Sequence, residues 1–282
     1  MSLVRYVFAS EIVALAGLPV PNAQGIHYGL NDEAGHRIDR GDAKIYYEIY
    51  GKGPPVLLLH GGLYGYIDEF ERYIETLRAN YTVIVAATRG HGRSEIGSKP
   101  FTYELLAADA SAVLSAATDQ PAMVIGFGDG AITALHLATE HPSQVKKAVI
   151  VGGGLGVYGL TPQGLAFARY LTPEKFDRDN RKFVAFRRPM TPEPARWDEF
   201  VSRIRELKLG PVFIAADTVR MIHCPALLIG GDRDEYFKTA HFLEVRALIP
   251  HSFLAIVPNC GHVESLQQPM VLEQLILPFL RS

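Results

Sequence analysis

The stretch Ala122–Ala138, which reads AMVIGFGDGAITALHLA, decides the fold of this chain. Its first four residues form a continuous apolar run, as expected of a strand that is buried on both faces. Apolar residues at helical spacing begin at Ala131, so a helix follows after a short glycine-rich turn, Gly126–Gly130. A buried strand that passes so directly into a helix indicates an α/β protein built on a mostly parallel sheet.

The glycine-rich turn has the spacing of the G-x-S-x-G elbow, in which a nucleophile stands between a strand and a helix. Small residues are required two positions before and two positions after the nucleophile, because that turn is tight. Gly126 and Gly130 occupy the flanking positions, and Gly128 stands where the elbow carries Ser. Glycine tolerates the positive φ of such a turn but supplies no nucleophile.

Composition excludes several classes of function. The chain has 282 residues, of which 48% are hydrophobic and 21% are charged, which is an ordinary globular composition. With 28 Lys and Arg against 30 Asp and Glu, the net charge of −2 gives no electrostatic basis for nucleic-acid binding. Cys224 and Cys260 lie at neither metal-ligand nor disulfide spacing, and no apolar run approaches the roughly 18 residues of a membrane span. We expect no metal, no cofactor, no nucleic-acid partner and no transmembrane segment.

The N-terminal segment allows two interpretations. Arg5 followed by an apolar stretch to Val20 has some features of a signal peptide, but Glu11 interrupts it and Pro21 is unsuited to a cleavage site. We therefore expect an extension that packs on the domain of a cytoplasmic protein, with export as the alternative. The oligomeric state is left open by the sequence.

Strand-like and helix-like segments alternate along most of the chain. We predict strands at residues 44–50, 56–59, 83–87, 122–125, 148–151, 226–229 and 253–257, and helices at 67–78, 103–117, 131–138, 240–248 and 269–280. The glycines at 51 and 53 predict a hairpin-like turn. Residues 155–215 break the alternation with helix-like segments at 174–186 and 196–207.

These segments predict three regions. Residues 1–42 form an N-terminal extension and first strand region, and residues 43–154 with 216–282 form the α/β core. Residues 155–215 form a helical insertion after the carboxyl end of a strand. Ligands bind at that edge of open α/β sheets, so the insertion is expected to be a lid.

Four short segments follow predicted strands in a fixed order: His60–Gly62, Gly126–Gly130, Gly231–Asp234 and Gly261–His262. Together with Arg89–Ser94, which reads RGHGRS, they resemble the α/β-hydrolase fold family of lidded serine esterases, lipases and lactonases. The resemblance extends from about residue 40 to the C-terminus. The chain departs from the family at Gly128 and at Ala87, where the family usually has Asp.

The resemblance implies a role for each segment. His262 is the general base, since an imidazole exchanges protons near neutral pH. Asp234, the second Asp of G-D-x-D, orients His262, and Asp232 forms the turn. We interpret the RGHGRS loop as structural.

Further residues are expected around these. The backbone N–H groups of Gly62 or Leu63, and of Asp129, form the oxyanion hole of the family. Tyr64 and Phe127 are candidate pocket walls. The implied function is hydrolysis of a carboxylic ester or related acyl substrate, a small molecule with an apolar acyl or aromatic part.

Gly128 leaves three hypotheses open. In the first, it replaces the Ser of a Ser-His-Asp hydrolase, and the chain as written is inactivated. In the second, the chain is a natural member without serine chemistry, either a ligand-binding pseudo-enzyme or an enzyme in which His262 and Asp234 activate water. In the third, Asp129 is the nucleophile, as Asp is in the related haloalkane dehalogenases and epoxide hydrolases. That register places Phe127 where a small residue is required, which disfavours it.

Overall fold

The computed structural model describes residues 25–263 and 267–282. The expectations for the N-terminal 24 residues, an extension or an export signal, lie outside the described residues. Within the described ranges, no helix has both the length and the apolar character needed to cross a membrane.

The described residues form one sheet of eight strands in the order β1-β2-β4-β3-β5-β6-β7-β8. The strands are β1 (Gly35–Asp39), β2 (Lys44–Tyr50), β3 (Pro55–Leu59), β4 (Thr82–Ala86), β5 (Ala122–Phe127), β6 (Val145–Val151), β7 (Ala226–Gly231) and β8 (Ser252–Val257). β2 pairs antiparallel with β1 and β4, and the other pairs are parallel. The predicted α/β class with a mostly parallel sheet is confirmed.

Helices lie on both faces of the sheet, and several of them form the connection between β6 and β7. They are α1 (Glu71–Leu77), α2 (Tyr103–Ala117), α3 (Asp129–Glu140), α4 (Pro162–Tyr170), α5 (Pro173–Asp179), α6 (Arg181–Arg187), α7 (Trp197–Leu209), α8 (Ala216–Val219), α9 (Thr239–Leu248) and α10 (Pro269–Arg281). Successive residues of a strand face opposite sides of the sheet. Accordingly, Val124 belongs to the core cluster that contains α3, and Ile125 belongs to the cluster that contains Phe70 and α10.

Two local predictions were wrong. The turn at residues 51–53 does not close a hairpin, because β4 lies between β2 and β3 in the sheet. The helix predicted over residues 174–186 is two helices, α5 and α6, which are separated at Asn180. The Asn180 amide donates to the carbonyl of Phe176 at 2.9 Å and accepts from the Tyr64 hydroxyl at 3.0 Å, so a tertiary contact stabilises this break.

The helical connection between β6 and β7 packs on the loops that follow the strands. A third apolar cluster joins Phe176, Phe183 and Phe200 of this connection to Leu63 after β3 and to Tyr236 after β7. The helices of this connection therefore lie against the carboxyl edge of the sheet, where the four predicted site segments meet.

Candidate active site

The elbow at the carboxyl end of β5 is built so that only glycine fits at its flanks. A Cβ on Gly126 would overlap the carbonyl of Gly130, and a Cβ on Gly130 would overlap the carbonyls of Leu59 and His60. The backbone of the turn therefore packs directly against itself and against the end of β3. This close packing holds the residue between the two glycines in one position.

That residue, Gly128, has φ 53° and ψ −114° and precedes the first turn of α3. A Cβ placed on Gly128 would lie 3.7 Å from Gly61 Cα and 3.7 Å from His262 Nε2, and would meet no closer atom among the described residues. The positive φ disfavours a side chain, but the space around the position accepts one. A serine hydroxyl, one bond further, is able to reach hydrogen-bonding distance of His262 Nε2.

The other ring nitrogen of His262 contacts Asp234. His262 Nδ1 lies 3.0 Å from Asp234 Oδ2, and the side chain of Asp234 is 0% exposed while that of His262 is 19% exposed. The second oxygen of Asp234 accepts from the backbone N–H groups of Tyr236 and Phe237 at 2.7 and 2.8 Å. These bonds fix the carboxylate, so the ring of His262 is oriented with Nε2 toward Gly128.

Asp232, the other carboxylate of this loop, has a different position. Its Oδ1 accepts from the backbone N–H of Cys260 at 3.1 Å and so ties the β7 loop to the loop that carries His262. The structure thus places Asp234, and not Asp232, against the imidazole.

Three backbone donors are free beside the elbow. Across residues 25–263 and 267–282, the N–H groups of Gly62, Leu63 and Asp129 have no hydrogen-bond acceptor. Asp129 is the first residue of α3, where unpaired N–H groups and the helix dipole favour negative charge. These three N–H groups are therefore able to donate hydrogen bonds to an oxygen that gains negative charge during a reaction.

His60 holds the loop that carries two of these donors. Its Nδ1 donates to the carbonyl of Gly61 at 2.7 Å, and its Nε2 accepts from the backbone N–H of Thr88 at 3.0 Å. Burial lowers the pKa of His60 to about 4, so the ring is neutral at neutral pH and its two bonds are maintained.

The Asp129 side chain lies in a buried ion pair that the sequence did not predict. Both of its carboxylate oxygens lie 2.8 Å from the ammonium of Lys208 in α7, and the Tyr103 hydroxyl donates to one of them at 3.1 Å. Burial opposes the charge of Lys208, but the Asp129 carboxylate outweighs it and the pKa of Lys208 is raised. A Cβ on Gly62 would overlap Asp129 Oδ2, so the loop that carries the N–H groups of Gly62 and Leu63 packs directly on this pair.

Glu69 is a second residue that the motifs missed. Its Oε2 accepts from the backbone N–H of Gly61 at 3.1 Å. Burial raises the pKa of Glu69 to about 7. Lys208 and Glu69 lacked a signal in the sequence, because neither belongs to a recognisable motif and each is distinguished only by the residue it contacts in the folded chain.

The two pocket candidates occupy different environments. Tyr64 is half-buried, and its ring lies 5.4 and 5.1 Å from the rings of Phe176 and Phe183 in the helical connection. Phe127 is 4% exposed and packs between Phe70 and Tyr73 at 5.3 and 5.6 Å. This position differs from the expected pocket wall, because the side chain points into the core beneath the sheet edge.

The RGHGRS loop contains a buried charge network. Arg89 is 1% exposed, and its guanidinium donates to both oxygens of Asp109 at 2.6 and 3.1 Å and to Asp42 at 2.9 Å. These contacts link the loop to α2 and to the β1–β2 turn, and the ring of His91 in the same loop lies 4.7 Å from the ring of His60.

The sheet order, the elbow, the free backbone donors and the His–Asp pair together define the framework of a hydrolase. A family model for the Alpha/beta hydrolase family matches residues 56–274. The chain therefore belongs to the alpha/beta hydrolase family.

Its relatives are named hydrolases. Uncharacterized hydrolase YraK of Bacillus subtilis (strain 168) is 39% identical over 105 residues, which are 36% of this chain and only 38% of that protein. A 2-hydroxy-6-oxo-6-(2'-aminophenyl)hexa-2,4-dienoic acid hydrolase of Metapseudomonas resinovorans is 25% identical over 260 residues, covering 86% of this chain and 89% of the relative.

Among solved structures, a serine hydrolase involved in carbazole degradation, the CarC enzyme, matches with a TM-score of 0.70. Its sequence identity is 23%, and the match covers 88% of this chain and 98% of that one. At this identity the likeness shows the fold alone.

Proposed function

We propose that this site is that of an acyl hydrolase in which Gly128 stands at the nucleophile position. The substrate class is a carboxylic ester or a related acyl compound. The observation that carries the proposal is the 3.7 Å separation between His262 Nε2 and the place of a Cβ on Gly128. A base held by a buried carboxylate faces a position that has room for a hydroxymethyl group but does not contain one.

With Ser at position 128, each neighbouring group has a defined task. His262 Nε2 takes the hydroxyl proton, and the buried Asp234 stabilises the resulting imidazolium. The N–H groups of Gly62 or Leu63 and of Asp129 stabilise the oxyanion, a contribution of about 3–4 kcal/mol for a well-placed donor. His262 then returns the proton to the leaving group. As written, the chain cannot form the acyl-enzyme.

A nucleophilic Asp129 is disfavoured by its surroundings. Its carboxylate accepts from Lys208 at 2.8 Å and from Tyr103 at 3.1 Å, and it packs directly against Gly62. An ion-paired, hydrogen-bonded carboxylate is a poor nucleophile, because attack would break those bonds in a buried setting.

A second candidate function is direct activation of water by His262. Its support is the same space beside Nε2, which is large enough for a methyl carbon at van der Waals distance. Water held there would lose a proton to Nε2 as its oxygen attacks the acyl carbon, and the imidazolium would return the proton to the leaving group as the tetrahedral intermediate breaks down to the acid. We rank this below an inactivated serine site, because water lacks the fixed orientation that the elbow gives a side chain.

The helical connection supports an apolar acyl or aromatic substrate. Tyr64 is half-buried and packs on the buried rings of Phe176 and Phe183, so an aromatic side chain with some accessible surface lies next to Leu63. A lid formed by residues 155–215 would exclude water from the site. A hydrolase of a dienoic acid among the relatives agrees with a small organic substrate.

The proposal is tested with Gly128→Ser and a matched Gly128→Ala variant. Gly128→Ser is expected to hydrolyse a short-chain p-nitrophenyl ester and to be labelled by a fluorophosphonate, and Gly128→Ala is expected to do neither. Both changes add a Cβ at the same positive φ, so a difference between them reports on the hydroxyl alone. A folded Gly128→Ser protein that stays inactive and unlabelled overturns the proposal. Hydrolysis by the unaltered chain that is lost in His262→Ala favours water activation.

A further inference from the structure

We propose that Glu69 is a substrate-contacting residue, whose free carboxylate oxygen accepts a hydrogen bond from an O–H or N–H group next to the scissile carbonyl. The inference rests on the proposed function, because it takes the space beside Gly128 as the acyl site. It adds a substrate class to that site: acyl compounds with a hydroxyl or amino group close to the carbonyl.

The first support is the pattern of exposure at the sheet edge. In the loops at the carboxyl edge of the sheet, some residues have accessible surface and their neighbours are buried. The accessible ones are Gly61, Gly62, Glu69, Gly128 and His262. Their neighbours Leu59, His60 and Phe127 are buried. The accessible residues come from three connections, those that follow β3, β5 and β8, and Gly61 lies beside both Glu69 and the Cβ position of Gly128. These residues therefore border one recess, and Glu69 belongs to its wall.

The second support is the distance between the carboxylate and the nucleophile position. Both oxygens of Glu69 lie 3.6 Å from the place of a Cβ on Gly61. Gly61 Cα in turn lies 3.7 Å from the place of a Cβ on Gly128. A single residue without a side chain therefore separates Glu69 from the reacting position, and no side chain at Gly61 blocks the path.

The third support is the hydrogen-bonding capacity of the carboxyl group. Oε2 accepts from Gly61 N–H at 3.1 Å, whereas Oε1 accepts no hydrogen bond from any residue in the described ranges. The neighbouring cation, Arg187, donates to Asp68 at 2.7 Å and forms no ion pair with Glu69. A carboxylate with one oxygen unused and partly accessible is an acceptor for a ligand's donor.

The charges around Glu69 agree with this role. Burial is the main effect and raises the pKa of Glu69, and Asp68 acts in the same direction. The N–H of Gly61, Arg187 and His262 lower it, and together these effects give a pKa of about 7. Burial deprives the Glu69 carboxylate of hydrogen bonds from water, and an O–H or N–H group of a ligand would supply such a bond. The carboxylate form, which accepts most strongly, predominates above neutral pH.

The test compares three small esters that differ at one position: methyl mandelate with a hydroxyl, phenylglycine methyl ester with an amine, and methyl phenylacetate with neither. Their binding to the unaltered chain is measured by NMR titration at pH 8. We expect the hydroxyl or the amine ester to bind at least about 10-fold more tightly than methyl phenylacetate. The arm that shows the preference identifies the donor as neutral or cationic.

The informative variant is Glu69→Gln, with Glu71→Gln, at the first residue of the helix that follows, as the matched control. The Gln carbonyl retains the bond to Gly61 N–H and turns its NH₂ group toward the recess, which replaces an acceptor by a donor. We expect the preference to disappear in Glu69→Gln and to persist in Glu71→Gln. In the unaltered chain the preference should also weaken below about pH 7, and in Glu69→Gln it should not change with pH.

Equal affinities of the three esters, no binding of the hydroxyl and amine esters, or an unchanged preference in Glu69→Gln each overturn the proposal. Binding requires no turnover, so the result is separate from the proposed function. A Gly128→Ser protein that is inactive while the ligand preference holds overturns the hydrolase proposal and leaves the role of Glu69 standing. An active Gly128→Ser protein without the ligand preference supports the hydrolase proposal and overturns the role of Glu69.

Discussion

Both carboxylate oxygens of Asp129 lie 2.8 Å from the ammonium of Lys208, so a buried ion pair joins the first residue of α3 to the last turn of α7. The residue that follows the nucleophile position is thereby attached to the helical connection above the sheet. The pair also lies against Gly62, so it contacts both segments that carry the free backbone donors. The positions of these N–H groups therefore depend on where α7 packs.

Lys208→Met is expected to destabilise the fold by about 3–5 kcal/mol, because it leaves the Asp129 carboxylate buried without its cation. Urea unfolding at neutral pH measures the change. The double variant Asp129→Asn/Lys208→Met removes both charges and should recover a large part of the loss. A Lys208→Met protein as stable as the unaltered chain would show that Asp129 is solvated in solution.

The three elbow glycines should respond differently to alanine. Gly128→Ala has room for its Cβ and bears only the positive φ, a cost of about 1–3 kcal/mol. Gly126→Ala and Gly130→Ala place a Cβ onto backbone carbonyls of the turn and of β3, so we expect losses above about 3 kcal/mol or failure to fold. Thermal unfolding of the three variants gives the order. A Gly128→Ala protein less stable than the other two contradicts the description of the elbow.

The sequence predicted those parts of the fold that depend on local pattern. The helix predicted over residues 103–117 matches α2, because a Thr102 cap and helical spacing of apolar residues define both ends. Strands β2 to β8 were also predicted, most of them as apolar runs between turn residues. The bounds of strand β1 were not, because its sequence, GHRID, contains no such run. The wrong hairpin at residues 51–53 has a different origin: β2 and β4 pair over a long separation in the chain, and no local pattern encodes that pairing.

In the candidate site, too, the residues that belong to local motifs were predicted and the others were not. The elbow and the loops with Asp234 and His262 have motifs, because the chemistry requires particular residues at particular spacings. Lys208 and Glu69 have none, since their roles come from burial beside Asp129 and Gly61. A lysine and a glutamate in helical segments are most often solvent-exposed, so only the tertiary structure distinguishes these two.

Glu69 also predicts a pH dependence of stability. Its pKa rises from 4.5 to about 7 on folding because of burial, so between these values the folded chain binds more protons than the unfolded one. Stability contributed by this group is therefore fully present below pH 4.5 and is lost as the pH rises through about 7. Gln does not titrate, so the stability of Glu69→Gln relative to the unaltered chain should increase by more than about 1 kcal/mol across this window. Urea unfolding at several pH values tests this, with the exposed Glu33→Gln as a control that should show no such trend.

The two carboxylates of the β7 loop give a matched test of the site geometry. In the Gly128→Ser background, Asp234→Asn is expected to lower kcat by about 10⁴-fold, because an amide cannot stabilise the imidazolium of His262 or hold its tautomer. Asp232→Asn should leave kcat within a few-fold, since the side chain of Asp232 accepts a hydrogen bond from the backbone N–H of Cys260 at 3.1 Å, and an amide oxygen is able to accept the same bond. Steady-state hydrolysis of a p-nitrophenyl ester measures both variants, and fluorophosphonate labelling reports whether Ser at position 128 remains activated. Equal losses in the two variants would mean that the 3.0 Å contact between Asp234 and His262 does not govern the reaction.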